Sequence, residues 1–335
     1  PYYLGNLLCD WQPAEAVRLW ETSAALDPRF PIVHRNLAIA YSRQENALAK
    51  AIASLEKAVE LGGKHALHLF ELDQLYEAAG VAPGKRLAMF EKNFALAQER
   101  DDALARAILL KVNLGKYGEA IELMRGRRFN VWEGGVRFSV HDTWTDAHLL
   151  RGHSLRASDP KRALADYRAA LEFPDNLQVA RFRSGGRHAE VSYWIGVALE
   201  AAGDAAGARE AWREAAAEIP RVGGDDILPT TDRTVLLYYQ AMALAKLGEK
   251  DRATRLFAQL VKSGEDALKR QPKVDVFAKF GDQQSQRARL AQARYIAGLG
   301  YAGLQESAKA REQFQQALAE SPDHLGAKTA LSWLP

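Results

Sequence analysis

Residues 293–322 read ARYIAGLGYAGLQESAKAREQFQQALAESP, and their spacing decides the fold. Ala297, Gly298 and Tyr301 precede Ala310, Phe314 and Ala317, and Pro322 closes the unit. The spacing predicts one helix with a small residue where it meets its partner. It predicts a second helix with an aromatic knob flanked by alanines. Small residues let two helices approach closely, and the large one fills the groove between them.

The same spacing returns along the chain in phase. Ile195, Gly196, Leu199 and Gly203 lead to Ala208, Trp212 and Ala215. Ala241, Leu244 and Gly248 lead to Ala253, Phe257 and Leu260. Leu114, Gly115, Tyr117, Ala120 and Met124 lie in LGKYGEAIELM, while Ala163, Tyr167 and Ala170 mark another second helix. Nearer the start, Leu37, Ala38 and Tyr41 lead to Ala51, Leu55 and Ala58, and Leu4, Gly5 and Leu8 lead to Ala16, Trp20 and Pro28. A degraded copy runs from Leu69 through Tyr76 to Phe90.

These units resemble the tetratricopeptide repeat, a helix–turn–helix of ~34 residues. The resemblance covers most of the chain in about eight units. It implies an all-α fold, an α-solenoid wound as a right-handed superhelix over residues 1–335. No single unit can bury its apolar stripe alone, so neighbours must stack into one continuous core.

Composition fits this reading and narrows the function. Of 335 residues, 47% are apolar and 26% charged, with a net charge of +3, as in an ordinary globular protein. The basic residues are spread instead of clustered, which argues against a nucleic-acid partner. No apolar run approaches the ~20 residues needed to span a bilayer, so no membrane partner is expected. Cys9 is the single cysteine. It excludes an intrachain disulfide and a cysteine-based metal site, reads as a small apolar side chain, and is compatible with a reducing, cytoplasmic compartment. The chain opens at Pro1 without Met, and the expectation is a piece of a longer protein.

Four segments break the repeat: 127–144, 173–190, 219–232 and 271–287. In a solenoid such insertions emerge on a limited set of edges and often form the binding face. In the first, Phe129 and Val131 alternate with polar residues, as do Val136, Phe138 and Val140 after Glu133-Gly134-Gly135. Two alternating runs around a glycine turn point to a short hairpin. The order of GRRFNVWEGG, then a glycine-rich basic loop leading into YWIGVALEAAGD, then VDVFAKFGD before ARYIAGLGYAGL also resembles one bacterial family. Its tetratricopeptide repeats follow a β-rich N-terminal domain of unknown function, similar to sugar-binding sandwiches. Here Val136-Arg137-Phe138 follows WEGG, where that family commonly continues with charged and glycine residues.

The candidate binding residues fall on these insertions. Trp132 beside Glu133 offers an aromatic face and a carboxylate, a pairing that holds sugars or cations. Arg137 and His141 follow within the same insertion. Arg181, Arg183, Arg187 and His188 surround Gly185-Gly186, with Glu190 just beyond. Arginine forks suit carboxylates and phosphates, but no strand–GxxxxGK[ST]–helix pattern accompanies them. No catalytic set, metal site or cofactor site is expected. The histidine pairs His65/His68 and His148/His153 lack a HExxH-type companion. The reading is an interaction scaffold that binds a protein or peptide, or docks against its own N-terminal domain. The alternative is an accessory region of a carbohydrate-binding or carbohydrate-active protein, whose insertions complete a sugar site with that domain.

Overall fold

A computed structural model describes residues 1–44, 46–62, 65–130, 140–178, 187–217, 230–270 and 286–335. Eighteen α-helices and one 3₁₀ turn (Asp175–Leu177), and no strand, lie among the described residues. The helices come in antiparallel neighbours along the chain. These are α1 (Tyr2–Leu8) with α2 (Pro13–Leu26), α3 (Pro31–Ser42) with α4 (Leu48–Leu61), and α5 (Ala66–Ala78) with α6 (Pro83–Lys92). After the short α7 (Phe94–Ala97) come α8 (Asp101–Asn113) and α9 (Tyr117–Arg125), next to each other along the chain, and then α10 (Val140–Leu155) with α11 (Pro160–Ala169). Then follow α12 (His188–Ala201) with α13 (Ala205–Ala216), α14 (Thr230–Lys246) with α15 (Lys250–Lys269), and α16 (Gln286–Gly303) with α17 (Ser307–Glu320); α18 (Leu325–Trp333) stands alone at the end. The pairs are the eight units expected from the spacing.

The knob-and-groove expectation holds atom by atom. A Cβ placed on Gly5, Gly152, Gly196 or Gly298 would lie 2.3 to 2.6 Å from the ring of Trp20, Tyr167, Trp212 or Phe314. Each aromatic of a second helix therefore presses on bare backbone of the first. The turns are equally regular. Gly115, Gly203 and Gly248 take φ of 78°, 84° and 92° between the helices of their pairs, and Gln305 takes φ 63° in the last pair. Proline begins α2, α3, α6 and α11, where its missing N–H costs nothing. The side chains of Asp159 and Asp204 cap α11 and α13.

Contacts gather into two compact units, one of described residues up to Leu110 and one from Lys111 to Pro335. In the first, Asp73 of α5 is fully buried and accepts hydrogen bonds from both Arg86 of α6 and Arg106 of α8, themselves buried. Arg106 also pairs with Glu77 at 3.3 Å. Glu71 receives both Nε and Nη2 of Arg35 at 2.7 and 2.5 Å, tying α3 to α5. Cys9 is half-buried, its thiol donating to the Asn6 carbonyl at 3.2 Å. It is less enclosed than the apolar reading expects, because α1 packs by Gly5 and Asn6 on Trp20.

In the second unit the first helices pack on one another, α12 on α14, α14 on α16 and α16 on α18. Each second helix instead sits between two first helices, α13 between α12 and α14, and α15 between α14 and α16. The first helices therefore form the inner wall. α10 is anchored to α11 by polar bonds: Trp144 Nε1 and Thr145 Oγ1 donate to the carbonyls of Ala169 and Ala170, both at 3.0 Å. Asp166 receives Arg151 at 2.6 Å and lies 2.9 Å from His148 Nδ1. Despite burial, those two partners hold its carboxyl below the usual range.

The insertions are shorter than the sequence reading placed them. Val140–Trp144 begin α10, and His188–Glu190 begin α12. Thr230 begins α14 and Gln286 begins α16. In α10 and α12 an acidic residue, Asp142 or Glu190, falls in the first turn, where it meets the positive end of the helix dipole. Val140 is therefore helical and not part of a strand. Residues 131–139, on which the rest of the expected hairpin falls, lie outside the described residues. No described helix is long and apolar enough to cross a membrane.

Candidate functional site

The inner wall has a register that follows from the packed small residues. Gly152, Gly196, Ala241 and Gly298 occupy equivalent places in α10, α12, α14 and α16. Three residues earlier stand Leu149, Tyr193, Tyr238 and Tyr295; six residues earlier stand Asp146, Glu190, Val235 and Gln292. An offset of three keeps a residue near one helix face, and a second step of three moves it about 120° round and nearer the N-terminus. The wall thus carries a tyrosine row and, a turn nearer the helix N-termini, a row that starts with two carboxylates.

Arg187, at the N-terminus of α12, joins those carboxylates. Its Nε donates to Glu190 Oε2 at 2.7 Å and its Nη1 to Asp146 Oδ1 at 2.5 Å. Nη1 also approaches the Asp142 carbonyl at 3.4 Å. Arg187 and Asp146 keep only 22% and 23% of their side-chain surface, so the pair sits in a recess instead of on open surface. Burial pushes the Asp146 carboxyl up to about 6, and the charges of Glu190 and Asp142 add to this against the pull of Arg187. Burial disfavours the Arg187 cation, yet Asp146, Glu190 and Asp142 hold it firmly protonated. Burial is the larger cause at Asp146, where the charges of Glu190 and Asp142 offset part of what Arg187 gives back, and the same acidic charges outweigh burial at Arg187.

Tyrosines close the recess. Tyr239 and Tyr295 are 4% and 7% exposed. Burial raises both phenols, and Glu190 raises them further while Arg187 opposes; both hydroxyls therefore feel the ion cluster. Tyr193 is pushed up to about 12 by burial, with Glu200 adding to it. The rings touch in series, Tyr193 with Tyr239 at 6.0 Å and Tyr239 with Tyr238 at 5.3 Å between centroids.

Of the residues picked out from sequence, His141, Arg187, His188 and Glu190 are brought together here. His141 stacks on Phe173 at 4.3 Å, and its charge reaches His188, whose pKa is lowered chiefly by burial. Trp132, Glu133, Arg137, Arg181 and Arg183 lie outside the described residues. The flanks of the first two insertions meet. Phe129 N donates to the Asn176 carbonyl at 2.8 Å, and Asn176 Nδ2 donates back to the carbonyls of Met124 and Arg127 at 2.8 and 2.6 Å. All four insertions feed the N-terminal ends of α10, α12, α14 and α16. Beside the first two, a recess of about 420 Å³ is lined by Arg125, Trp144, Leu171, Glu172 and Phe173. Arg125 covers the Trp144 ring at 5.7 Å, and Trp144 itself is only 2% exposed.

Asp146 and the tyrosines escaped the sequence reading. Their signal was the register itself: Asp146 and Glu190 stand at the same distance before Gly152 and Gly196. A loop-first search for site residues overlooks positions that repeat within helices.

The tetratricopeptide-repeat family model matches residues 236–263, the bulk of α14 and the first part of α15. The chain carries a tetratricopeptide repeat there. A tetratricopeptide repeat protein from Parabacteroides merdae is similar at 13% identity and a TM-score of 0.46, over 90% of this chain and 97% of that one. A chain of the Naa15/Naa10 complex bound to HypK is similar at 14% identity and a TM-score of 0.40, over 99% of this chain and 54% of that one. A chain of the Cut9–Hcn1 assembly gives 14% identity and 0.41, over 95% and 52%.

Proposed function

We propose that this tetratricopeptide-repeat chain is an interaction scaffold without catalysis of its own, and that the inner wall of its second unit holds a peptide or a segment of a partner protein. The observation that carries the reading is the recess where Asp146 and Glu190 share the guanidinium of Arg187 beside buried tyrosines. Such a place favours a basic side chain. An added cation would share these carboxylates with Arg187, and the apolar stem of a Lys or Arg would lie along the wall. Repeats present side chains at regular spacing, which suits a segment laid across several of them.

The experiment is selection of a displayed random-peptide library on the full chain, followed by binding measurements with Glu190→Gln. The reading expects enriched peptides with Lys or Arg, bound at least about tenfold more weakly by the variant, a loss typical of a charged hydrogen-bonded contact. Enriched peptides that ignore Glu190→Gln, or no enrichment, would contradict it.

The carbohydrate reading keeps one supporting observation, the meeting of the first two insertion flanks at Asn176. Its candidate residues, Trp132 and Glu133, lie outside the described residues. A glycan array probed with the full chain tests it: specific binding lost on replacing Trp132 or Glu133 supports it, and an empty array counts against it.

A further inference from the structure

The last helix lies across the inner wall in the way a partner would. Gly326 of α18 sits against Tyr295, where an added Cβ would come within 2.6 Å of the ring. Lys328 Nζ donates to the Asn113 carbonyl at the end of α8, at 2.8 Å. Trp333 reaches Trp194 of α12 at 4.9 Å and His153 of α10 at 5.0 Å between ring centroids. His324 holds the N-terminal end: its Nδ1 accepts from Ala327 N at 3.1 Å, and its Nε2 then donates to Gln292 Oε1 at 2.9 Å. Its nine residues thus pack chiefly on α17 and reach from there to α8, α10, α12 and α16.

The hold rests on the α16–α17 core, against which Leu331 and Leu334 pack partly buried. Only Ala327 and Ala330 of α18 are buried. Trp333 remains 36% exposed. Beneath it, Trp194 is 6% exposed and its Nε1 has no hydrogen-bond partner, a state that carries a cost. An occupant with an acceptor at that point would fit better than α18 does. Once detached, a helix this short has no stability of its own, so its place would stand open.

We propose that α18 is a tethered occupant of the inner wall, which a partner segment displaces. This rests on the reading of that wall as the binding surface, and it adds the regulation: the chain competes with its own ligand. Lys328 and Trp333 would be released together, because both contacts depend on the helix lying in place.

Two measurements on the full chain test it. In hydrogen exchange of the unaltered protein, the amides of 326–333 should open at least about tenfold more often than those of α16 and α17, as a sub-global opening does. Equal protection would overturn the proposal, because α18 would then be a fixed part of the fold. Second, a fluorescent peptide of residues 322–335 is titrated into the full chain carrying Ala330→Asp, with the unaltered chain beside it. The charge expels the resident helix from its buried contact, so the variant should bind the peptide saturably, at least about tenfold tighter than the parent. A variant that melts like the parent and does not bind the peptide would overturn the proposal. Neither measurement uses a foreign ligand. If selected peptides bind the wall while α18 exchange stays unchanged, this inference fails and the scaffold reading stands.

Discussion

Asp146 shows how one side chain can report on the surface around it. Its carboxyl is raised to about 6, first by burial and then by Glu190 and Asp142. Protonation at lower pH removes a negative charge from the recess, so a basic peptide held there should bind more weakly as pH falls from 7 to 5. Titration across that range should show the loss, and Asp146→Asn should flatten the profile. Two other residues test the packing. Gly196→Val places a side chain against the Trp212 ring, 2.3 Å from the missing Cβ, and should cost at least about 1–3 kcal/mol by overpacking. Asp73→Ala leaves the buried guanidinium groups of Arg86 and Arg106 without their shared carboxylate, and should cost about 3–5 kcal/mol. Urea denaturation measures both. The role of Gly196 was legible in sequence, since in each such unit the small residue precedes its aromatic by 15 or 16 residues. The ion cluster at Asp73 was not, because a carboxylate in an amphipathic helix shows its partner only after α5, α6 and α8 are packed.

At the level of elements, α18 is tied to two half-buried histidines. Burial lowers His153 to about 3, aided by Arg156 and Arg187, and lowers His324 to about 4. Both values lie below the unfolded value of about 6.5. Between the two values the folded chain therefore binds fewer protons than the unfolded one, so stability is highest above about pH 6.5 and is lost as pH falls towards 3–4. Protection factors of residues 326–333, taken relative to the slower intrinsic exchange in acid, should fall on acidification before those of α17, and His153→Phe should blunt the effect. The helices themselves were readable from period, glycine turns and aromatic knobs. Their N-terminal boundaries were not: alternation around 136–140 resembled a strand, while the acidic first turns of α10 and α12 are equally compatible with a loop. A helix start is set by where tertiary packing begins, which lies beyond a local pattern.

For the whole molecule, the described helices gather into two compact units, and the proposed binding surface is the inner wall of the second. Sequence pointed to the insertions as the business edge, and Arg187, His188, Glu190 and His141 do gather at the helix ends that the insertions feed. It could not rank the rows behind them, because inner and outer helices carry similar alanine-rich stripes until their neighbours are known. The central claim is tested most directly by hydrogen exchange of the full chain with and without a selected basic peptide. The account predicts new protection in the N-terminal halves of α10, α12 and α14, with loss of protection in α18. Protection confined to α11, α13, α15 or α17, or no change at all, would contradict it.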